Sequence, residues 1–364
     1  MVHFPAALRL PCLAILTLLA ACATGDGSAT PAQPAPVASP AAEPTAPLSF
    51  GRRVGAGLIR EAFDAAAARM LKAMRKHRPA VEVISVEGLQ YREGDADALL
   101  DIHFPSSAAD SGERLPVVGW IHGGAWLSGS RGDAAPLFRL IAAEGYAVVA
   151  PDYSLAPAAT YPQPLRQLSD LRGWLEEHAA AYPIDPNRLF LAGDSAGAQL
   201  AAQLAAMGSN PAYAAEVGLP AVFTPDVLRG VALQCGVFDL RALARPDPER
   251  SRILGWGTGT TVLAYARTRD PESPLLAQMS PIDHATARFP PAWITAGNAD
   301  PLTPGPSVPF AERLQALGVP VTTLFWPDEH EPGLKHLYAF NLDSGEGQEA
   351  LRSMLAFLGS HRGG

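Results

Sequence analysis

From residue 117 onward, runs of four to six mostly apolar residues alternate with segments of helical period, and few folds accept that order. The runs are Val117–Ile121, Ala147–Ala150, Leu189–Ala192, Val231–Gln234, Ala292–Ala296 and Val321–Trp326. Helical patterns fall between or after them at about 135–144, 163–181, 195–207, 307–317 and 346–358. A strand covered on both faces needs no polar alternation, so short apolar strands separated by helices predict a mostly parallel sheet with helices on both sides. Two more β-rich pieces, Val81 to Val86 and Leu99 to Phe104, precede this series. Ahead of them, residues 51–78 bring Leu58, Ile59, Ala62, Phe63, Ala66, Met70, Leu71 and Met74 round at three- and four-residue spacing, which predicts an amphipathic helix ending before Pro79.

The chain begins differently. His3 and Arg9 give a weakly basic start, Leu10 to Leu19 is an apolar run too short for a permanent membrane span, and small residues follow, in the layout of an export signal. Leu19-Ala20-Ala21-Cys22 resembles the lipobox of bacterial lipoproteins, which implies cleavage after residue 21 and a lipid on Cys22. Ala23 is not the acidic residue that signals inner-membrane retention, so the expected destination is the outer membrane, facing the periplasm. From there to about Pro47 the chain is almost all Ala, Pro, Ser, Thr and Gly, an extended tether that cannot bury a core of its own. The expected organisation is a signal at 1–21, a tether at 22–47 and one enzyme-sized domain at 48–364.

Composition excludes several function classes. With 18% charged residues, a formal net charge of −8 and no run of Lys or Arg, the chain lacks an electrostatic footprint for nucleic acid. Membrane contact is expected through the lipid anchor alone. Cys12 and Cys22 lie in the leader, leaving Cys235 by itself, so no internal disulfide framework forms. Gly255-x-Gly257-x-Gly259 lacks the spacing of a dinucleotide loop and reads as a flexible loop; no phosphate loop or metal-ligand spacing occurs, and no cofactor or metal is implied. Oligomeric state is left open.

Two motifs carry chemistry. Gly193-Asp194-Ser195-Ala196-Gly197 has the form G-x-S-x-G, a sharp strand-to-helix turn in which small neighbours let a serine stand exposed. The apolar run at 189–192 before it and the helical pattern after it supply the required context. His122-Gly123-Gly124-Ala125-Trp126 follows the Val117–Ile121 run, and small residues there let backbone N–H groups approach a developing oxyanion. Gly124, Ala125 and Ala196 are the expected donors, with Gly123 shaping the loop and His122 bracing it.

These motifs, with Asp152-Tyr153-Ser154-Leu155-Ala156-Pro157, Asp300-Pro301-Leu302 and a histidine segment near the end, resemble the hormone-sensitive-lipase-like branch of the α/β-hydrolases over about residues 81–358. The resemblance implies an α/β-hydrolase fold with a helical cap, and a serine carboxylesterase acting on short- to medium-chain esters through an acyl-enzyme. Ala125 stands where that family often has a third glycine, Ser154 where it often has Arg, and Ala158 where it often has Glu. Residues 51–78 and a Pro- and Gly-rich insertion at about 244–281 are the expected cap elements.

The acid and base leave alternatives. Asp300 follows an apolar run, as does Asp152, but the order serine, acid, histidine favours Asp300. For the base, His330 lies among acids in Pro327-Asp328-Glu329-His330-Glu331, whereas His336 sits in an amphipathic stretch that can hold it rigidly and matches the family's terminal segment. The expected triad is therefore Ser195, His336 and Asp300. The same groups would also serve an amidase or peptidase, and a surface-tethered binding protein with an inactive hydrolase fold is the reading from another class.

Overall fold

The computed structural model describes residues 48–248, 250–302 and 304–363, with backbone alone at 304–306. The leader and tether assignments therefore lie outside the described residues. Eight strands, β1 Val83–Gln90, β2 Leu99–Pro105, β3 Leu115–Ile121, β4 Ala147–Pro151, β5 Ile184–Asp194, β6 Leu228–Gln234, β7 Ala292–Ala296 and β8 Val321–Phe325, form one sheet in the order β1-β2-β4-β3-β5-β6-β7-β8. β2 runs antiparallel to β1 and β4, and every pair from β4 to β8 is parallel. This is the α/β-hydrolase fold.

The central strands feed two cores at once. Val117, Val149, Leu189 and Leu191 point to one face while Val118, Val148, Phe190 and Ala192 point to the other, because side chains alternate along a strand. Eleven α-helices accompany the described strands: α1 Phe50–Met74, α2 Ala135–Ala143, α3 Gln163–His178, α4 Ala196–Ser209, α5 Pro211–Val217, α6 Leu240–Ala244, α7 Arg252–Ala266, α8 Pro274–Gln278, α9 Pro281–His284, α10 Pro304–Ala316 and α11 Gly345–Ser360. Leu168, Leu200 and Phe310 bring α3, α4 and α10 onto one face, and Phe138 and Phe357 bring α2 and α11 onto the other. No helix among the described residues is long and apolar enough to cross a membrane.

One expectation is overturned. The Gly255-x-Gly257-x-Gly259 segment is not a flexible loop; it is the first half of α7, capped by Ser251 Oγ, which accepts from Leu254 N–H at 3.2 Å. Glycine disfavours a helix by about 1 kcal/mol per residue. Here α7 packs on α1, with Arg52 Nη1 donating to Thr260 Oγ1 at 3.3 Å, and tertiary contact outweighs propensity. Residues of α1 and α7 line one cavity together with Ala125, Ser195 and Val237, which follow β3, β5 and β6.

Candidate active site

Ser195 follows β5 at φ 52° and ψ −116°, a left-handed conformation costly for a non-glycine residue and common where a side chain must be held exposed at a turn. Packing holds it there. A Cβ on Gly197 would lie 2.0 Å from Ile121 O, and one on Gly193 2.6 Å from the same atom, so only glycines let the turn press against the end of β3. Ser195 N–H donates to Gln234 O at 2.8 Å, fixing the turn to β6 as well.

The loop after β3 is also held in left-handed conformations, at Gly124 (φ 98°), Ala125 (φ 56°) and Trp126 (φ 57°). Trp126 anchors it: the indole stacks on Tyr265 at 5.0 Å and donates from Nε1 to Gln199 Oε1 at 3.1 Å. His122 stacks on Tyr153 at 4.3 Å, its Nδ1 lying 2.9 Å from Gly123 O, and Tyr153 O–H donates to His122 O at 2.9 Å. Among the described residues, the N–H groups of Gly124 and Ala125 meet no acceptor. Ala196, first residue of α4, has no intrahelical acceptor for its own N–H.

His336 bridges the serine and the acid. Its Nε2 is 3.0 Å from Ser195 Oγ and its Nδ1 is 2.7 Å from Asp300 Oδ2. Asp300 is buried on the loop after β7, and its Oδ1 also accepts from Leu302 N–H at 2.9 Å. The competing residues are engaged elsewhere. His330 Nε2 is 3.1 Å from Glu346 Oε1, with its ring against Trp326. Asp152 accepts from Arg131 N–H at 2.6 Å and pairs with the Arg131 guanidinium. Ser154 and Ala158, the two departures in the following loop, do no harm there: Ser154 donates to Asp97 Oδ2 at 2.7 Å and Ala158 is exposed.

Two residues have roles that the sequence reading did not assign. Asn298 clasps the segment that carries His336, donating from Nδ2 to Pro327 O and His330 O at 3.1 and 3.0 Å and accepting from Leu334 N–H at 2.8 Å. Its place two residues before Asp300 was the available signal. Asp194, inside the serine motif itself, is buried behind the Gly123 loop and accepts from Trp120 Nε1 at 3.1 Å. Burial pushes its carboxyl up to about 6, assisted by Asp133 and opposed by Trp120, His336 and Gly123.

A cavity of about 360 Å³ opens beside Ser195, lined almost wholly by apolar groups, among them Leu58, Phe63, Val237, Leu243 and Leu254, with Thr261 also in its wall. A second cavity of about 210 Å³ lies across the glycine loop, where His336, Gly123, Gly124, Asp133 and Asp194 line it. One group among the described residues has the donor set for a metal ion: Cys235, Asp300 and His336, whose ligand atoms lie within 4.8 Å of one another. Burial raises the Cys235 thiol well above its ordinary range, so it is protonated at neutral pH, and His336 Nδ1 is already engaged by Asp300.

Comparison with known proteins agrees with this fold. A family model described as the alpha/beta hydrolase fold matches residues 118–331, a span that contains Ser195 and Asp300 and stops short of His336. The chain is 28% identical to an esterase of Gibberella moniliformis over 261 residues, 70% of this chain and 77% of that one. It is 30% identical to the carboxylesterase NlhH of Mycobacterium tuberculosis over 250 residues, 68% and 72% of the two chains. With the esterase LipQ of the same organism it shares 30% identity over 218 residues, 59% of this chain and about half (49%) of the relative. Among solved structures, esterase B from Lactobacillus rhamnosis superposes with a TM-score of 0.70 at 21% identity, covering 84% of this chain and 96% of that one.

Proposed function

Because this chain belongs to the α/β-hydrolase family, in its hormone-sensitive-lipase-like branch, we propose that it is a carboxylic ester hydrolase working through Ser195, His336 and Asp300. The observation that carries this reading is the continuous hydrogen-bonded line from Ser195 Oγ through the imidazole to Asp300, at 3.0 and 2.7 Å. Ser195 Oγ attacks the ester carbonyl carbon while His336 Nε2 takes its proton. The oxyanion is received by the N–H groups of Gly124, Ala125 and Ala196. Asp300 accepts from Nδ1–H, which fixes the tautomer and balances the imidazolium. His336 then gives its proton to the departing alkoxide, and water releases the acid by the same steps.

The apolar cavity beside Ser195 suits the acyl chain of a short- to medium-chain ester. Ser195→Ala should abolish turnover of a chromogenic butyrate ester and labelling by a fluorophosphonate, with the loss on the order of 10⁶ in kcat where a triad acts as a unit. Labelling that survives the change would remove Ser195 from the mechanism.

The export reading is a second part of the proposal. Lipidation of Cys22 would hold the domain on a tether at the outer membrane, facing the periplasm, and the support is the sequence Leu19-Ala20-Ala21-Cys22. Mass spectrometry of the processed N-terminus tests it: an acylated Cys22 is expected in the wild type and lost in Cys22→Ser, and an unmodified wild-type terminus would refute it.

A further inference from the structure

The outward face of α1 changes character along its length. Phe50, Val54 and Leu58 follow one another at four-residue spacing and so share one side of the helix, with Phe50 80% and Leu58 63% exposed. Next to them on α7, Ile253 is 83% exposed and Trp256 is exposed too. The two helices meet at Gly55, where a Cβ would stand 2.9 Å from Trp256 Cζ2, so these apolar side chains form one patch. Further along α1, past the exposed acids Glu61 and Asp64, the exposed cations are Arg69 and Lys72, followed just beyond its end by Arg75 and by Lys76, which pairs with Asp343 at 2.6 Å. Residues 50–78 hold eight Lys and Arg against two acids, in a chain whose formal net charge is −8.

An exposed apolar patch beside a basic stripe marks a contact surface. Its position says for what. Leu58, Ile253 and Trp256 also line the cavity that reaches Ser195, so the patch is the rim of that cavity. We propose that this face docks on an anionic phospholipid bilayer, with the apolar rim entering the acyl region and the basic stripe lying over the headgroups. The lipid is favoured as occupant by charge complementarity and by chain direction. The 47 residues before the described structure join it at Leu48, immediately ahead of Phe50, so an anchor placed in them pulls on this face. If the ester-hydrolase reading holds, its substrates include esters already dissolved in the membrane, whose acyl chain passes from bilayer to cavity without crossing water.

Trp256 is a built-in reporter. The full chain, as exported and processed by the producing cell, is mixed with vesicles of brominated phosphatidylglycerol or brominated phosphatidylcholine, and Trp256→Phe supplies the background from the other five tryptophans. Anionic vesicles should quench the Trp256 signal, neutral vesicles should not, and high salt should reverse the effect. In Arg69→Gln/Lys72→Gln, the ratio of quenched to unquenched Trp256 should fall about 30-fold, since each cation near an anionic surface contributes about 1 kcal/mol. Equal quenching by both lipids would overturn the proposal. So would no quenching, or burial of Trp256 through self-association without lipid. Hydrolysis of a soluble ester without vesicles is read separately; its absence would sink the hydrolase reading and leave the docking result standing.

Discussion

Asp194 offers a test that depends on the packing of the site and not on its chemistry. The carboxyl is buried, and burial lifts it from 3.8 to about 6. The folded chain therefore holds this proton more tightly than the unfolded chain does. Stability rises as pH falls from about 6 towards 4, and above 6, where both states are ionised, the buried charge is a standing penalty. Two units at 1.36 kcal/mol each make that penalty about 3 kcal/mol. Asp194→Asn removes the charge and keeps an oxygen for Trp120 Nε1. The stability of the variant minus that of the wild type should accordingly rise by roughly 2 to 3 kcal/mol between pH 4 and pH 8, most of it between 4 and 6. Urea unfolding at a series of pH values measures this, with equal slopes on denaturant required for the comparison. An amide also disturbs the contact with Gly123, but that offset is the same at every pH. A difference that stays flat from pH 4 to pH 8 would refute the reasoning, because it would mean the carboxylate ionises inside the protein as easily as in water.

The remaining predictions concern the site directly. His336→Ala should depress kcat about as far as Ser195→Ala, whereas His330→Ala, which loses the Glu346 contact and the packing on Trp326, should stay within about ten-fold of wild type; the reverse ranking would make His330 the base. Thr261→Phe places a ring at the inner wall of the apolar cavity and should lower kcat/KM for longer acyl chains by about four-fold for each methylene excluded, with acetate esters least affected. An unchanged chain-length profile would show that the acyl group lies elsewhere.

How much of this was legible in the sequence varied with how local the physics is. The central strands are covered on both faces, so their identity is written as continuous apolar runs; β4 and β7 begin and end within a residue of expectation, and β3 begins two residues earlier than its run. β1 was expected at 81–86 and lies at Val83–Gln90, because at the edge of the sheet one face is exposed and the apolar signal fades. The Gly-rich α7 was read as a loop because its stability comes from α1, about two hundred residues earlier. Motif chemistry was legible for the same reason as the strands: a strained serine between a strand and a helix demands glycines within two positions. The choice between His330 and His336 was not settled by local sequence, since it depends on how Asn298 clasps residues 327–334 and turns the next residues towards Ser195. Asp194 was passed over because nothing in G-x-S-x-G reveals that the second residue is buried against the oxyanion loop.

The two cavities assign sides to an ester under the proposed mechanism. His336 must deliver its proton to the departing alcohol, and it lines the smaller cavity together with Asp133 and Asp194. Ser195 and the carbonyl side of the oxyanion loop, Ala125 and Ala196, line the larger and almost wholly apolar one. An acyl chain gains from apolar burial at about 25 cal/mol per Å², while an alcohol finds hydrogen-bonding groups among the mixed lining of the smaller cavity, so the acyl group belongs in the larger one. Phe63 of α1 lines both. One helix thus forms a shared wall for acid and alcohol, borders the exposed rim, and takes the chain in from its N-terminal segment. That is why Thr261→Phe, acting from α7 on the larger cavity alone, should change preference for the acid and leave preference for the alcohol as it was.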